Sequence, residues 1–262
     1  MKVILPLIVL AGMLAFSACT SKTNSDEVIG AESSISHFDG KEEIDGKILA
    51  IDTNSALIVA NSLSYTHTNG STEEASAFLT EKEEIIKIEE KFSDSKTGNF
   101  GKRLFYFEKG KRLATKEIYQ DNLRSTPQFV ERVSYYKNDK VFFTEERTAE
   151  FEEQLEMNLF SMVKTSDCPS KNAMQILNQE GPFATTFQGF GGNGTIEILI
   201  VGENKEEGFT SGITVQHNEG DIGKLKANQR AYVGIPLEVQ FERVIDNQGF
   251  EFQILLAAKI LK

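Results

Sequence analysis

Two cysteines and three histidines are the side chains best suited to nucleophilic, redox or metal chemistry in this chain. A reactive thiol needs a neighbouring base to hold it as the thiolate. His37, His67 and His217 are scattered, and none has a second ligand at metal spacing. Cys168, in Ser166-Asp167-Cys168-Pro169, therefore reads as a small residue in a turn between domains. Gly189-Phe190-Gly191-Gly192-Asn193-Gly194 has the glycine spacing of a dinucleotide loop. That chemistry needs a loop that leaves a strand and opens a helix, whose amides hold the pyrophosphate. An Ile-rich strand pattern follows instead, so the segment reads as a connection between strands. Asn69-Gly70-Ser71 and Asn193-Gly194-Thr195 fit the glycosylation sequon. The acidic clusters at 81–84 and 203–207 read as solvated charge, as do Asp39, Glu42, Glu43 and Asp45 at a linker end. No serine has nucleophile-elbow surroundings. The sequence assigns no catalytic residue, no metal site and no cofactor. It leaves the enzyme question open and favours a non-enzymatic protein.

Cys19 is different because of what precedes it. Lys2 gives a positive start, Val3 to Ala15 is apolar and too short to span a bilayer as a helix, and Phe16-Ser17-Ala18-Cys19 closes the run. This arrangement resembles the lipobox of bacterial lipoproteins, with Phe16 where Leu is usual, a looser form similar to that of the Bacteroidota. The resemblance implies cleavage before Cys19, a diacylglycerol on its sulfur and an acyl chain on its new amino group. It also implies attachment to the lipid bilayer of a bacterial cell envelope. Thr20, with no Asp at that position, favours the outer membrane, facing either the periplasm or the cell surface. The alternative is ordinary secretion, with cleavage after Ser17. Two or three acyl chains hold a protein firmly where one does not, at about 0.8 kcal/mol per buried methylene.

Composition narrows the partners. The net charge is −11, and removal of residues 1–18 takes away one base and no acid. Phosphate binding needs clustered Lys and Arg, so the charge argues against nucleic acid. With Cys19 lipidated, Cys168 has no disulfide partner within the chain.

The elements follow from pattern. Residues 19–43 are polar and aperiodic and read as a flexible tether. Residues 44–62 hold a short helix or strand. Three segments then align as an internal repeat: Ala77 to Glu90, Leu104 to Glu117 and Val133 to Glu146. Lys109-Gly110 and Asn138-Asp139 centre two of the copies and suit two-residue hairpin turns, as does Asn69-Gly70 upstream. The pattern predicts an antiparallel meander of six to eight strands, although Glu73–Lys91 also suits a helix. Tyr106 to Lys111 and Tyr135 to Lys140 resemble the aromatic-Asn-Gly-Lys units of MORN-like β-repeat proteins.

Thr144 to Val163 has a capping Thr, early glutamates and an apolar stripe at Phe151, Leu155, Leu159, Met162 and Val163, which predicts a helix. After a break at 164–182, alternating segments predict about five more strands, including a long hairpin around Asp246-Asn247-Gln248-Gly249. The expected fold is mainly β: a meander domain with a helix over 44–165, then a small all-β barrel or sandwich over 170–262.

The aromatic strands exceed what one buried face needs, and aromatics outside a core mark interfaces. Tyr106, Phe107, Tyr135 and Tyr136 are accordingly the expected binding residues, for an envelope protein or glycan partner. A scaffold or assembly factor without a ligand site is the second expectation. A hydrolase whose distant carboxylates or histidines converge in a cleft is the third.

Overall fold

The computed structural model describes residues 38–218 and 220–261. Cys19, the leader and most of the expected tether lie outside the described residues. The fold is mainly β, a large and predominantly antiparallel sheet with a flanking helix, and the sheet does not close into a barrel.

The first helix, α1 (Lys41–Asp52), places Ile44, Ile48 and Ile51 on one face at 4-3 spacing. Strands β1 (Ile58–Asn61) and β2 (Tyr65–His67) lead into the meander. Its strands are β3 (Thr72–Leu79), β4 (Ile85–Ser93), β5 (Phe100–Glu108), β6 (Lys111–Asp121), β7 (Gln128–Lys137) and β8 (Lys140–Ala149). Glu73–Lys91 is thus a strand pair, as the repeat requires. The turns fall where Gly and Asn allow positive φ: Lys109 and Gly110 at 51° and 73°, Asn138 and Asp139 at 52° and 58°.

The predicted helix over Thr144–Val163 is not formed. Residues 144–149 continue β8 opposite β7, in register from Ser134↔Thr144 to Phe129↔Ala149. A 3-10 turn (Glu152–Met157) and the two-residue β9 (Ser161–Met162) follow. Ladder pairing wins because it buries Thr144, Glu145 and Ala149, whereas Leu155 alone of the apolar stripe becomes buried. Phe151, Leu159 and Met162 are exposed.

The remaining elements are α2 (Lys171–Asn178), β10 (Thr186–Gly192), β11 (Glu197–Gly202), β12 (Phe209–Val215), α3 (Ile222–Ala227), α4 (Gln229–Tyr232), β13 (Leu237–Ile245) and β14 (Glu251–Ile260). The β13–β14 hairpin forms as its alternation predicts. The glycine-rich segment is an edge strand and its turn, with β10 paired to β11. The expected boundary near 165–170 does not separate two sheets. β12 pairs with β2 through Phe209↔His67 and Thr210↔Thr66, and the described residues form one compact unit. The main core likewise joins Leu63, Tyr65, Ile88 and Phe105 to Ile176, Phe183, Leu199 and Ile213.

The meander has two distinct faces. On one lies α1, with Ile48 against Leu104, Tyr106, Leu113 and Ala114. Polar contacts spread α1 across the strands. Lys41 reaches Glu145 on β8 (3.0 Å), Asp45 accepts from the Tyr135 hydroxyl on β7 (2.8 Å) and Lys47 reaches Glu108 on β5 (3.0 Å). Asp52 meets Tyr106 on β5 (2.9 Å) and Lys87 on β4 (3.0 Å). The opposite face is crossed by the segment that leads into α2. Ser134 Oγ donates to the Ser166 carbonyl (3.3 Å), and Tyr136 Oη donates to Asp167 (2.8 Å). Arg112 donates to Asp167 and to the Cys168 carbonyl.

Candidate functional site

The face opposite α1 carries a row of alternating charge. Glu90 on β4 stands opposite Arg103, Arg103 opposite Glu117, Glu117 opposite Arg132, and Arg132 opposite Glu146 on β8. Cross-strand partners of opposite sign stabilise a sheet, by about 0.2–1 kcal/mol per pair. Glu90, Glu117 and Glu146 occupy the same last position of the three repeat copies, so the repeat itself builds the row. Arg103 Nη1 is 3.2 Å from Glu90 and its Nε is 3.9 Å from Glu117. Arg132 lies 2.6 Å from Glu146.

At the β4 end of this row the surface opens into a cleft of about 540 Å³. Its walls include Glu73, Arg103 and Glu117, with aromatic rings from Phe92, Tyr119 and Phe209. The β2–β3 and β4–β5 connections supply the rim, including Asn69, Asp94 and Asn99. These positions share a wall because Glu73, Phe92, Gly101 and Tyr119 are successive cross-strand partners on β3, β4, β5 and β6. Gly101 is required there. A Cβ would meet the Ile118 carbonyl at 2.2 Å and Tyr119 Cα at 2.6 Å. The Arg103 guanidinium stacks over Phe92 at 4.0 Å, and the His67 ring packs edge-on to Phe209 at 5.0 Å. Rim geometry is fixed by Asp94, which accepts from the Lys96 amide (2.9 Å) and the Thr97 hydroxyl (2.8 Å). Those bonds hold its carboxyl below the usual range.

Glu73, on this wall, is paired with the buried Glu90. Asn172 Nδ2, from α2, donates to Glu73 Oε2 (3.1 Å) and to Glu90 Oε1 (2.6 Å). Glu90 is 1% exposed. Its Oε1 takes both Asn172 and Arg103, while its Oε2 has no partner. Burial first, and the Glu90 charge second, push the Glu73 carboxyl up to about 8. The Glu73 carboxyl therefore keeps its proton to a higher pH than a free glutamate does.

The four aromatics expected from the sequence do not form a binding strip. Tyr106 and Tyr135 are fully buried, Tyr136 is buried and Phe107 is packed against the main core. Tyr106 and Tyr135 serve α1, as described, and Tyr136 lies beneath Arg112 at 4.0 Å. Burial raises all three phenols, Tyr136 to about 12. The excess of aromatics is absorbed because both faces of the meander are covered in part, one by α1 and one by the 164–178 segment. Burial, followed by the nearby Glu117 charge, likewise pushes Cys168 up to about 12, away from thiolate chemistry.

Apart from His67, the cleft residues were not candidates in the sequence, although the repeat aligned Glu117 of the cleft with Glu90 and Glu146. Convergence of β2, β3 and β12 at the cleft depends on pairing across 144 residues (Thr66 with Thr210), which has no local signal. Among the described residues no group of three His, Cys, Asp or Glu is arranged to hold a metal ion, and no helix is long and apolar enough to cross a membrane. The chain matches no family model, no curated protein and no solved structure.

Proposed function

We propose that this chain is an envelope-anchored lipoprotein that binds a glycan partner without turning it over. The anchor is Cys19, acylated after cleavage of residues 1–18, with the outer membrane as its address. The ligand site is the cleft lined by His67, Glu73, Phe92, Arg103, Glu117, Tyr119 and Phe209. The observation that carries the reading is the composition of that cleft. Aromatic rings offer flat apolar faces to sugar rings, and carboxyl, guanidinium and amide groups offer paired acceptors and donors to hydroxyls. Its volume suits one or two sugar residues.

The test uses the full-length chain produced in a bacterial host. Labelled palmitate enters the wild-type protein and not Cys19→Ala, which leaves the membrane fraction. Affinity electrophoresis through polysaccharide gels retards the wild type, and Tyr119→Ala combined with Phe209→Ala removes the retardation. Palmitate on Cys19→Ala refutes the anchor. Equal mobility in every polysaccharide gel refutes the glycan site.

A further inference from the structure

Two Asn-Gly pairs sit in hairpin turns, Asn69-Gly70 between β2 and β3 and Asn193-Gly194 between β10 and β11. An Asn followed by Gly can modify itself, because the Gly amide nitrogen lies within reach of the Asn side-chain carbon and has no Cβ to hinder its approach. The structure sets the two pairs apart. At the first, the Gly70 amide is engaged and donates to the His67 carbonyl at 2.8 Å. The Asn69 amide donates to His67 Nδ1 (3.2 Å), and the Ser71 amide donates to Asn69 Oδ1 (2.8 Å). Ser71 Oγ is fastened in turn to Ser95, accepting from its amide at 3.1 Å and lying 3.2 Å from its Oγ. Ring closure at Asn69 would break the Gly70 bond and shift a turn that is tied to its neighbour.

At the second pair, the Gly194 amide donates to no described group. A Cβ placed on Gly194 meets nothing within 4 Å, and residues 192–196 are exposed. The Thr195 and Ile196 amides both donate to Asn193 Oδ1, at 3.2 and 3.1 Å. That oxygen gains negative charge when the side-chain carbon becomes tetrahedral, so its two donors are already in place. Asn193 Nδ2, the leaving group, is held by no described residue.

We propose that Asn193-Gly194 is a self-modifying site at the tip of the β10–β11 hairpin, and that the Asn69-Gly70 turn on the cleft rim is protected from the same reaction. The Gly194 nitrogen bonds to Asn193 Cγ and gives its proton to solvent base. The Cγ–Nδ2 bond breaks, and ammonia leaves with a proton taken from water. Water then adds to either carbonyl of the succinimide ring and opens it to aspartate or isoaspartate. Aspartate keeps an acceptor for both amides and adds a negative charge. Isoaspartate inserts one carbon into the backbone between Gly192 and Glu197, which are partners across the turn, and so loosens the β10 edge.

The experiment holds the full-length protein in detergent for days near pH 8, beside a sample unfolded in guanidinium chloride. Peptide mapping by mass spectrometry follows both asparagines, and enzymatic methyl transfer counts isoaspartate. In the folded protein Asn193 is expected to convert at least about fivefold faster than Asn69, the factor for freeing one backbone hydrogen bond. In guanidinium chloride the two rates converge, because the contacts that separate the sites are gone. Equal rates in the folded protein, a faster Asn69 or an unchanged Asn193 overturns the assignment. The same ratio in guanidinium chloride as in the fold also overturns it, since the difference would then belong to the local sequence.

Discussion

Replacing Glu73 with Gln should stabilise the protein at neutral pH and leave it unchanged in acid. The wild-type carboxyl is raised from 4.5 to about 8 by burial and by Glu90. A raised folded value means that the favourable contribution is complete below the unfolded value and is lost as pH climbs toward the folded one. Between those limits the folded state holds one more proton than the unfolded chain, and stability falls by about 1.4 kcal/mol per pH unit. Carried to pH 7, the shift amounts to a few kcal/mol at most, and the partial exposure of the side chain discounts it to about 1–2 kcal/mol. A glutamine at 73 cannot ionise. Its carbonyl can accept from Asn172 and its amide can donate to Glu90, so both contacts survive. Urea unfolding of wild type and variant near pH 5, 7 and 8.5 measures the difference. The two midpoints should approach each other in acid and separate as pH rises, with the variant ahead and the denaturant slope unchanged. A variant less stable by the same amount at every pH would show that the Glu73 carboxyl is not raised in the folded protein.

Two further outcomes follow from packing. Gly101→Ala should unfold more readily by at least about 2 kcal/mol, read by thermal melting, because a Cβ 2.2 Å from the Ile118 carbonyl forces β5 and β6 apart. Tyr135→Phe should cost about 1–3 kcal/mol, because its hydroxyl binds Asp45 at 2.8 Å and Glu145 at 3.0 Å in a buried setting. A denaturation midpoint equal to the wild type would refute the role given to that hydroxyl.

Local signals determined what was legible. Lys109-Gly110 and Asn138-Asp139 read correctly as turns because positive φ is a property of those residues themselves. The repeat placed β5 to β8 for the same reason: alternation within ten residues is visible without a fold. Thr144–Val163 misled because its caps and apolar spacing are real helix signals, overridden by a neighbouring strand edge whose need for pairing has no trace in those residues. Tyr106 and Tyr135 misled in a related way. Their partners are Asp52 and Asp45, 54 and 90 residues earlier, on a helix that the sequence left unassigned. The glutamate row was half legible, since its spacing is the repeat's. Its meeting with Glu73 and Asn172 is a matter of tertiary packing.

The way α1 is fastened bears on how the protein withstands force. A pull on the described chain at Phe38 enters this helix first. Its side chains grip β8, β7, β5 and β4 through Glu145, Tyr135, Glu108, Tyr106 and Lys87. A load applied there is divided among strands that lie side by side and must slip together, instead of peeling one edge away bond by bond. The helix would act as a crossbar, suited to holding the sheet intact under a pull from its own end of the chain.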